Sequence, residues 1–283
     1  MAVVVHGRSA NSTSACLASI EEHAPSTTVV LVVGARECAE VTEIRARIAN
    51  SRFVRAVEAR AHDTEIEAAN RGIDAAMQFH PSAASVLLLS AAARLRPGTL
   101  QAMRSCSDRR PDVGIVGCRV VAPRCDQVQP RRSLATLAAV PSESTASSGA
   151  TECEADFASG ACMLVDAALL RMGIRRDASY QRSGADADLC LRVRAIGRAI
   201  WVTQAATVEY DDDRILRNHL IGGHACDQVR LSRRTMTGVQ RRLFLAHAWL
   251  VHPLLCALRG RDLRQLPAYF AGLWAGQSMG AGG

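Results

Sequence analysis

Short apolar runs alternate with amphipathic stretches along most of the chain. Ala2 to Val5 is β-branched and apolar, and Thr28 to Val33 is a second such run, stopped by Gly34. Both patterns predict buried strands. Phe53 to Val57, Ser85 to Leu89 and Val113 to Val121 add three more strands, and Phe157 to Val165 and Ala199 to Val202 two later ones. Between them the period changes. Thr13 to His23 carries Cys16, Leu17 and Ile20 at helical spacing. Glu40 to Ile48, Pro97 to Arg104 and Ala167 to Met172 also read as helices. Asp63 is expected to cap a helix over Glu65 to Phe79, with Ile66, Ala69, Ile73, Ala76 and Met77 on one face. Asp186 to Ile196 repeats the pattern with Leu189, Val193 and Ile196. Strands alternating with helices imply an α/β fold, a mostly parallel sheet with helices on both faces.

Two segments break the alternation. Residues 141–151 are small, polar and without period, which predicts a loop, expected to be mobile. Leu243 to Leu258 is apolar but holds His247, His252 and Pro253 and falls short of the ~20 residues of a span. A helix lying in a membrane plane, or packed on the domain, is the expectation there.

Charge sharpens the division. The 34 basic residues are all arginine, because no lysine occurs, so lysine chemistry such as a Schiff base or a P-loop is excluded. Residues 1–213 hold 24 Arg against 25 Asp and Glu, whereas 214–283 hold 10 Arg against Asp227 and Asp262. The net charge of +7 is therefore a property of a basic helical tail, and it points to a polyanionic surface. Few aromatic residues and no basic–aromatic interleaving argue against nucleic acid. The ten cysteines form no CxxC pair and no zinc spacing, and the N-terminus lacks a signal-peptide pattern. Reduced thiols in a cytoplasmic protein are expected, with peripheral contact on the inner face of the membrane through 214–283.

Several strings, in order, resemble the family 2 glycosyltransferases, in particular their bacterial rhamnosyltransferase-like branch. They are Ala15-Cys-Leu-Ala-Ser-Ile20, Ala68-Ala-Asn-Arg-Gly-Ile73, Ala93-Arg-Leu-Arg-Pro-Gly-Thr-Leu100 and Pro111-Asp-Val-Gly-Ile-Val-Gly117. Val128-Gln-Pro-Arg-Arg132, Phe157-Ala-Ser-Gly-Ala-Cys-Met-Leu-Val165, Gly184-Ala-Asp-Ala-Asp-Leu-Cys-Leu-Arg192 and Arg217-Asn218 follow. The resemblance implies a GT-A (Rossmann-like) domain over 1–213, with a nucleotide-binding half at about 1–125 and an acceptor half at about 150–213. It implies transfer of a sugar, with inversion, from a dTDP- or UDP-sugar to a hydroxyl of a saccharide or lipid-linked acceptor, as in making cell envelope polysaccharide.

Residue by residue, the resemblance places His6, Arg8, Gly34, Asn70, Ser90 and Ala92 on the nucleotide-sugar side. It places Ser159, Gly160, Ala161 and Asp188 on the acceptor side and makes Asp186 the catalytic base. The family's Asp-x-Asp, which holds Mg²⁺ or Mn²⁺, is Ser90-Ala91-Ala92 here. Neither Ser90 nor Ala92 offers the anionic oxygen such hard ions need, so no metal or other cofactor is assigned. Gly34 stands where a base-recognising Asp is usual, and Tyr210 where a late His is usual. The residue-level alternative is that Asp186 and Asp188 only cap their helix.

Other candidates carry less. Asp211-Asp212-Asp213 could bind an ion but reads as a solvated charge run. Arg8 could replace a metal's charge, and Arg94, Arg96, Arg131 and Arg132 are further phosphate candidates. His219 and His224 are spaced unlike a helical metal pair. Two functions follow. One is a metal-independent transferase. The other is an inactive homologue serving as a binding or partner subunit, favoured by three replacements in one site.

Overall fold

The computed structural model describes residues 2–6, 9–34, 39–49, 51–121, 151–180, 184–210, 222–254, 264 and 266–278, with backbone only for 2–6 and 222–224. Among the described residues nine strands form one sheet: β1 (Ala2–His6), β2 (Thr28–Val33), β3 (Val54–Glu58), β4 (Ser85–Ser90), β5 (Ala93–Leu95), β6 (Val113–Val121), β7 (Glu152–Glu154), β8 (Cys162–Asp166) and β9 (Ala199–Tyr210). The order is β3-β2-β1-β4-β8-β6-β9-β5, with β7 also on β9. β3, β2, β1 and β4 run parallel; β8 is reversed between β4 and β6, and β9 is parallel to β6. The short strands β5 and β7 are antiparallel to β9.

The helices are α1 (Ala10–His23), α2 (Ala39–Ile48), α3 (Glu65–Phe79), α4 (Thr99–Asp108), α5 (Ala167–Arg171), α6 (Ala185–Ala195), α7 (Gly222–Thr235), α8 (Gly238–Ala246) and α9 (Leu266–Ser278). Period-two alternation sorts the strand residues between two cores. Val29, Leu31 and Val33 pack with Leu87 and Leu89 against Cys16, Leu17 and Ile20 of α1 and Met103 of α4. Val30 and Val32 pack with Val86 and Leu88 against Ile73 of α3, Leu170 of α5 and Leu189 of α6. Helices on both faces explain why these strands are apolar at nearly every position.

A third cluster joins Val229 of α7, Phe244 of α8, Ala248 and, from α9, Tyr269 and Leu273. Leu231 of α7 packs with Tyr180, Ala185 and Ala187, seating the C-terminal helices on α6. The expected 213/214 boundary, the loop over 141–150, Asp211 to Asp213, Arg131, Arg132 and His219 lie outside the described residues.

Several boundaries differ from expectation. Thr64, not Asp63, caps α3: its hydroxyl accepts from the Glu67 amide (3.2 Å) while Glu67 accepts from the Thr64 amide (2.7 Å). This reciprocal box satisfies two orphan donors at once. Asp63 instead accepts from the Arg60 amide and pairs with Arg71. α4 starts at Thr99, because Gly98 holds the left-handed conformation (φ 75°) at its N-cap. β8 starts at Cys162 rather than Phe157, since residues 159–161 turn before it. β9 runs to Tyr210 because both β6 and the unforeseen β5 pair with its second half. Ile196 leaves the α6 stripe as its exposed C-cap. The apolar run from Leu243 passes from α8 into a π-helical turn, His247–Val251. No helix among the described residues is long and apolar enough to cross a membrane.

Candidate functional site

The carboxyl ends of β2, β1 and β4 lie side by side. His6 pairs in register with Val32 on one side and Ser90 on the other, and Gly34 follows β2 directly. The chain runs outward from β1 to β2 and β3, then returns to β4 on the opposite flank of β1. Crevices of α/β sheets open outside the strand ends at such a reversal. Three of the nucleotide-side candidates, His6, Gly34 and Ser90, therefore share one rim. Arg8 lies outside the described residues, as do the side chain of His6 and that of His224.

Ser90 is the junction of the rim. Its hydroxyl accepts from the Ala92 amide (3.3 Å), folding the chain into β5. Its amide donates to the Ala161 carbonyl (3.0 Å), and its carbonyl accepts from the Cys16 thiol (3.6 Å). Ala91, Ala92 and Ala93 are buried, and Ala93 sits opposite Tyr210. Arg94 lies near enough to the Cys16 thiol to favour its ionised form, but burial dominates and pushes that thiol up to about 12. Arg96 pairs with Glu209.

The Ser90–Ala161 bond carries the rim into the acceptor-side turn. There the Ser159 hydroxyl accepts from the Ala161 amide (3.3 Å) and the Ser159 carbonyl from Cys162 (3.2 Å). Gly160 lies against Asp186. A Cβ at position 160 would fall 1.8 Å from the Asp186 Oδ2, closer than any non-bonded contact allows. Asp186 is 32% exposed and forms an ion pair with Arg176 Nε at 2.7 Å. Arg176 is held in turn by Asn70, whose carboxamide donates to its carbonyl (2.8 Å) and accepts from its amide (3.2 Å). Asn70 is thus brought, through Arg176, to the Asp186 carboxylate.

Asp188 has a different setting. It is fully buried, and its carboxylate takes Arg192 Nε (2.8 Å), Arg234 Nη1 and the Tyr180 hydroxyl (3.4 Å). Burial and the facing Asp188 carboxylate push the Tyr180 phenol well above its ordinary value. Asp188 joins α6 to α7 and has no face left for an acceptor. Neither aspartate caps α6, because Gly184 (φ 88°) is the N-cap and supplies no side chain. Asp186 and Asp188 still add negative charge to the first turn, where the helix dipole favours it. Arg176, Tyr180 and Arg234 were not singled out from the sequence, since nothing in their local pattern separates them from solvated residues.

No protein-family description matches the chain, and no curated protein matches it in sequence. Solved structures do match. The mannosyltransferase PcManGT from Pyrobaculum calidifontis, solved with GDP-Man and Mn²⁺, aligns over 99% of this chain and 75% of its own, with TM-score 0.59 and 17% identity. S. aureus TarS 1-349 with UDP aligns over 99% of this chain and 80% of its own, with TM-score 0.61 and 11% identity. GalNAc-T7, solved with UDP, GalNAc and Mn²⁺, aligns over 95% of this chain and 54% of its own, with TM-score 0.63 and 10% identity. The fold is GT-A. At these identities the likeness is one of fold, and the chemistry has to be argued from the site.

The GT-A resemblance implies a divalent cation at the end of β4. The residues present there do not fit one. Ser90 accepts a hydrogen bond from its own turn, Ala92 has no donor atom, and hard ions call for several oxygen ligands, usually with carboxylates among them. Among the described residues no group of three His, Cys, Asp or Glu side chains is arranged to hold a metal.

Proposed function

We propose that this chain transfers a sugar from a dTDP- or UDP-sugar to an acceptor hydroxyl with inversion, with no divalent metal held at the end of β4. The observation that carries the reading is the contact of Asp186 with Gly160, one residue from the Ala161 that is bonded to Ser90. It sets a partly exposed carboxylate beside the strand-end crevice of a GT-A fold. In the reaction the acceptor oxygen bonds to the anomeric carbon while its proton passes to Asp186. The carbon–oxygen bond to the diphosphate breaks, and the nucleoside diphosphate leaves with the electron pair. Arg176, fixed by Asn70, orients the carboxylate. Arg94, two residues beyond Ala92, supplies positive charge towards the leaving diphosphate, a role for which a bidentate guanidinium is suited. The acceptor class is a saccharide or a lipid-linked saccharide.

The second reading is an inactive homologue acting as a binding or partner subunit. Ser90 and Ala92 favour it, since they leave the strand end without carboxylates. Calorimetric titration with dTDP- and UDP-sugars, with Mn²⁺ and then with EDTA, separates the two. Binding that survives EDTA, with turnover abolished in Asp186→Asn while donor binding persists, is the expected result. No binding under either condition overturns the transferase reading.

A further inference from the structure

We propose that the outer face of α8 and its π-helical continuation is a docking surface for an anionic lipid bilayer. Val239, Leu243, Leu250 and Leu254 follow one another at spacings of four, seven and four, which places them along one helix face. With Trp274 of α9 they are 60–72% exposed. The opposite face is already used: Phe244 and Ala248 are buried against Val229, Tyr269 and Leu273. The exposed leucines are therefore not awaiting a place in this chain's described core.

Charge selects the occupant. From Gly222 to Ser278 the described arginines are Arg230, Arg233, Arg234, Arg241, Arg242 and Arg264, and the single described acid, Asp227, is buried. Arg242 is exposed beside Leu243. Pairing of the patch with a second copy about a two-fold axis would set arginine against arginine, with no surface acid among these residues to neutralise it. An anionic bilayer offers apolar depth for the leucines and phosphate for Arg241 and Arg242, and its headgroup layer suits an exposed Trp. The surface is independent of the proposed transferase activity.

The test is co-sedimentation of the full chain with vesicles of phosphatidylcholine alone and of phosphatidylcholine with phosphatidylglycerol. Binding is expected to the mixed vesicles only, weakening as salt rises. The triple variant Leu243→Ser, Leu250→Ser and Leu254→Ser should lower partitioning at least about tenfold, since burying several leucines contributes most of the affinity. It should leave circular dichroism and melting temperature unchanged, because all three side chains are exposed. Three results overturn the proposal: no binding to the mixed vesicles, binding unaffected in the folded triple variant, or a dimer of the parent chain that dissociates in that variant.

Discussion

Gly160 and the carboxylate of Asp186 occupy each other's space: the position a side chain at 160 would take is 1.8 Å from Asp186 Oδ2. Glycine is required here by the close approach, with no unusual backbone angle involved. Gly160→Ala must therefore displace Asp186, shift the turn before β8, or both. Overpacking of this kind costs about 1–3 kcal/mol. If the proposed chemistry holds, turnover should fall about a hundredfold or more while donor binding, measured calorimetrically, stays near the parent value. Unaltered turnover in a folded Gly160→Ala protein would show that the turn yields rather than the carboxylate, and unaltered turnover in a folded Asp186→Asn protein would remove Asp186 from the mechanism.

Asp188 predicts a stability effect. Asp188→Ala leaves Arg192 and Arg234 without their shared buried partner and the Tyr180 hydroxyl without an acceptor. Breaking one side of a buried pair costs about 3–5 kcal/mol, and the half-exposed guanidiniums place this case near the lower figure. Urea unfolding should show a loss of about 3 kcal/mol. Arg234→Gln should cost less, since Arg192 still pairs with Asp188, and it should loosen α7 first. Hydrogen exchange across 222–235 would show that order.

Asp177 gives a pH dependence. Burial raises its carboxyl, but the Ser179 amide and hydroxyl and the Arg234 guanidinium together outweigh that and hold it below 3.8. A carboxyl lowered in the folded state contributes stability that is complete above its unfolded value. That stability is lost as pH falls through the folded one. The melting temperature should therefore decline as pH falls through and below the ordinary carboxyl range, and Asp177→Asn should flatten part of that decline while lowering stability at pH 7. Parallel curves for the two proteins would show that Asp177 does not carry the pH dependence.

The buried thiols predict a labelling pattern. Burial pushes both Cys16 and Cys190 up to about 12. The Cys118 thiol and burial likewise raise Cys162 well above the ordinary thiol value. Since the thiolate is the reactive form, iodoacetamide at pH 8 should leave Cys16, Cys162 and Cys190 unmodified in the native protein and label them in denaturant. Peptide mass spectrometry reads this directly. Rapid native labelling of Cys16 would mean that the α1–β4 contact opens readily.

The run of hydrophobic positions determined the strands that build the sheet and the helices between them, because the two periods are local properties of the chain. It also determined the basic, apolar C-terminal tail and, through the matching strings, the GT-A expectation that the fold bears out. Local pattern could not supply β5, β7 or the second half of β9. Those exist only because distant strands provide hydrogen-bond partners, and three-residue strands have no period to detect. The same limit applied at the site. Two aspartates two residues apart look alike in sequence. The tertiary structure made one a partly exposed carboxylate against Gly160 and enclosed the other between Tyr180 and two arginines. Burial and charge pairing are set by what packs against a residue, and Arg176 and Arg234 reach these aspartates from segments whose own sequence gives no sign of it.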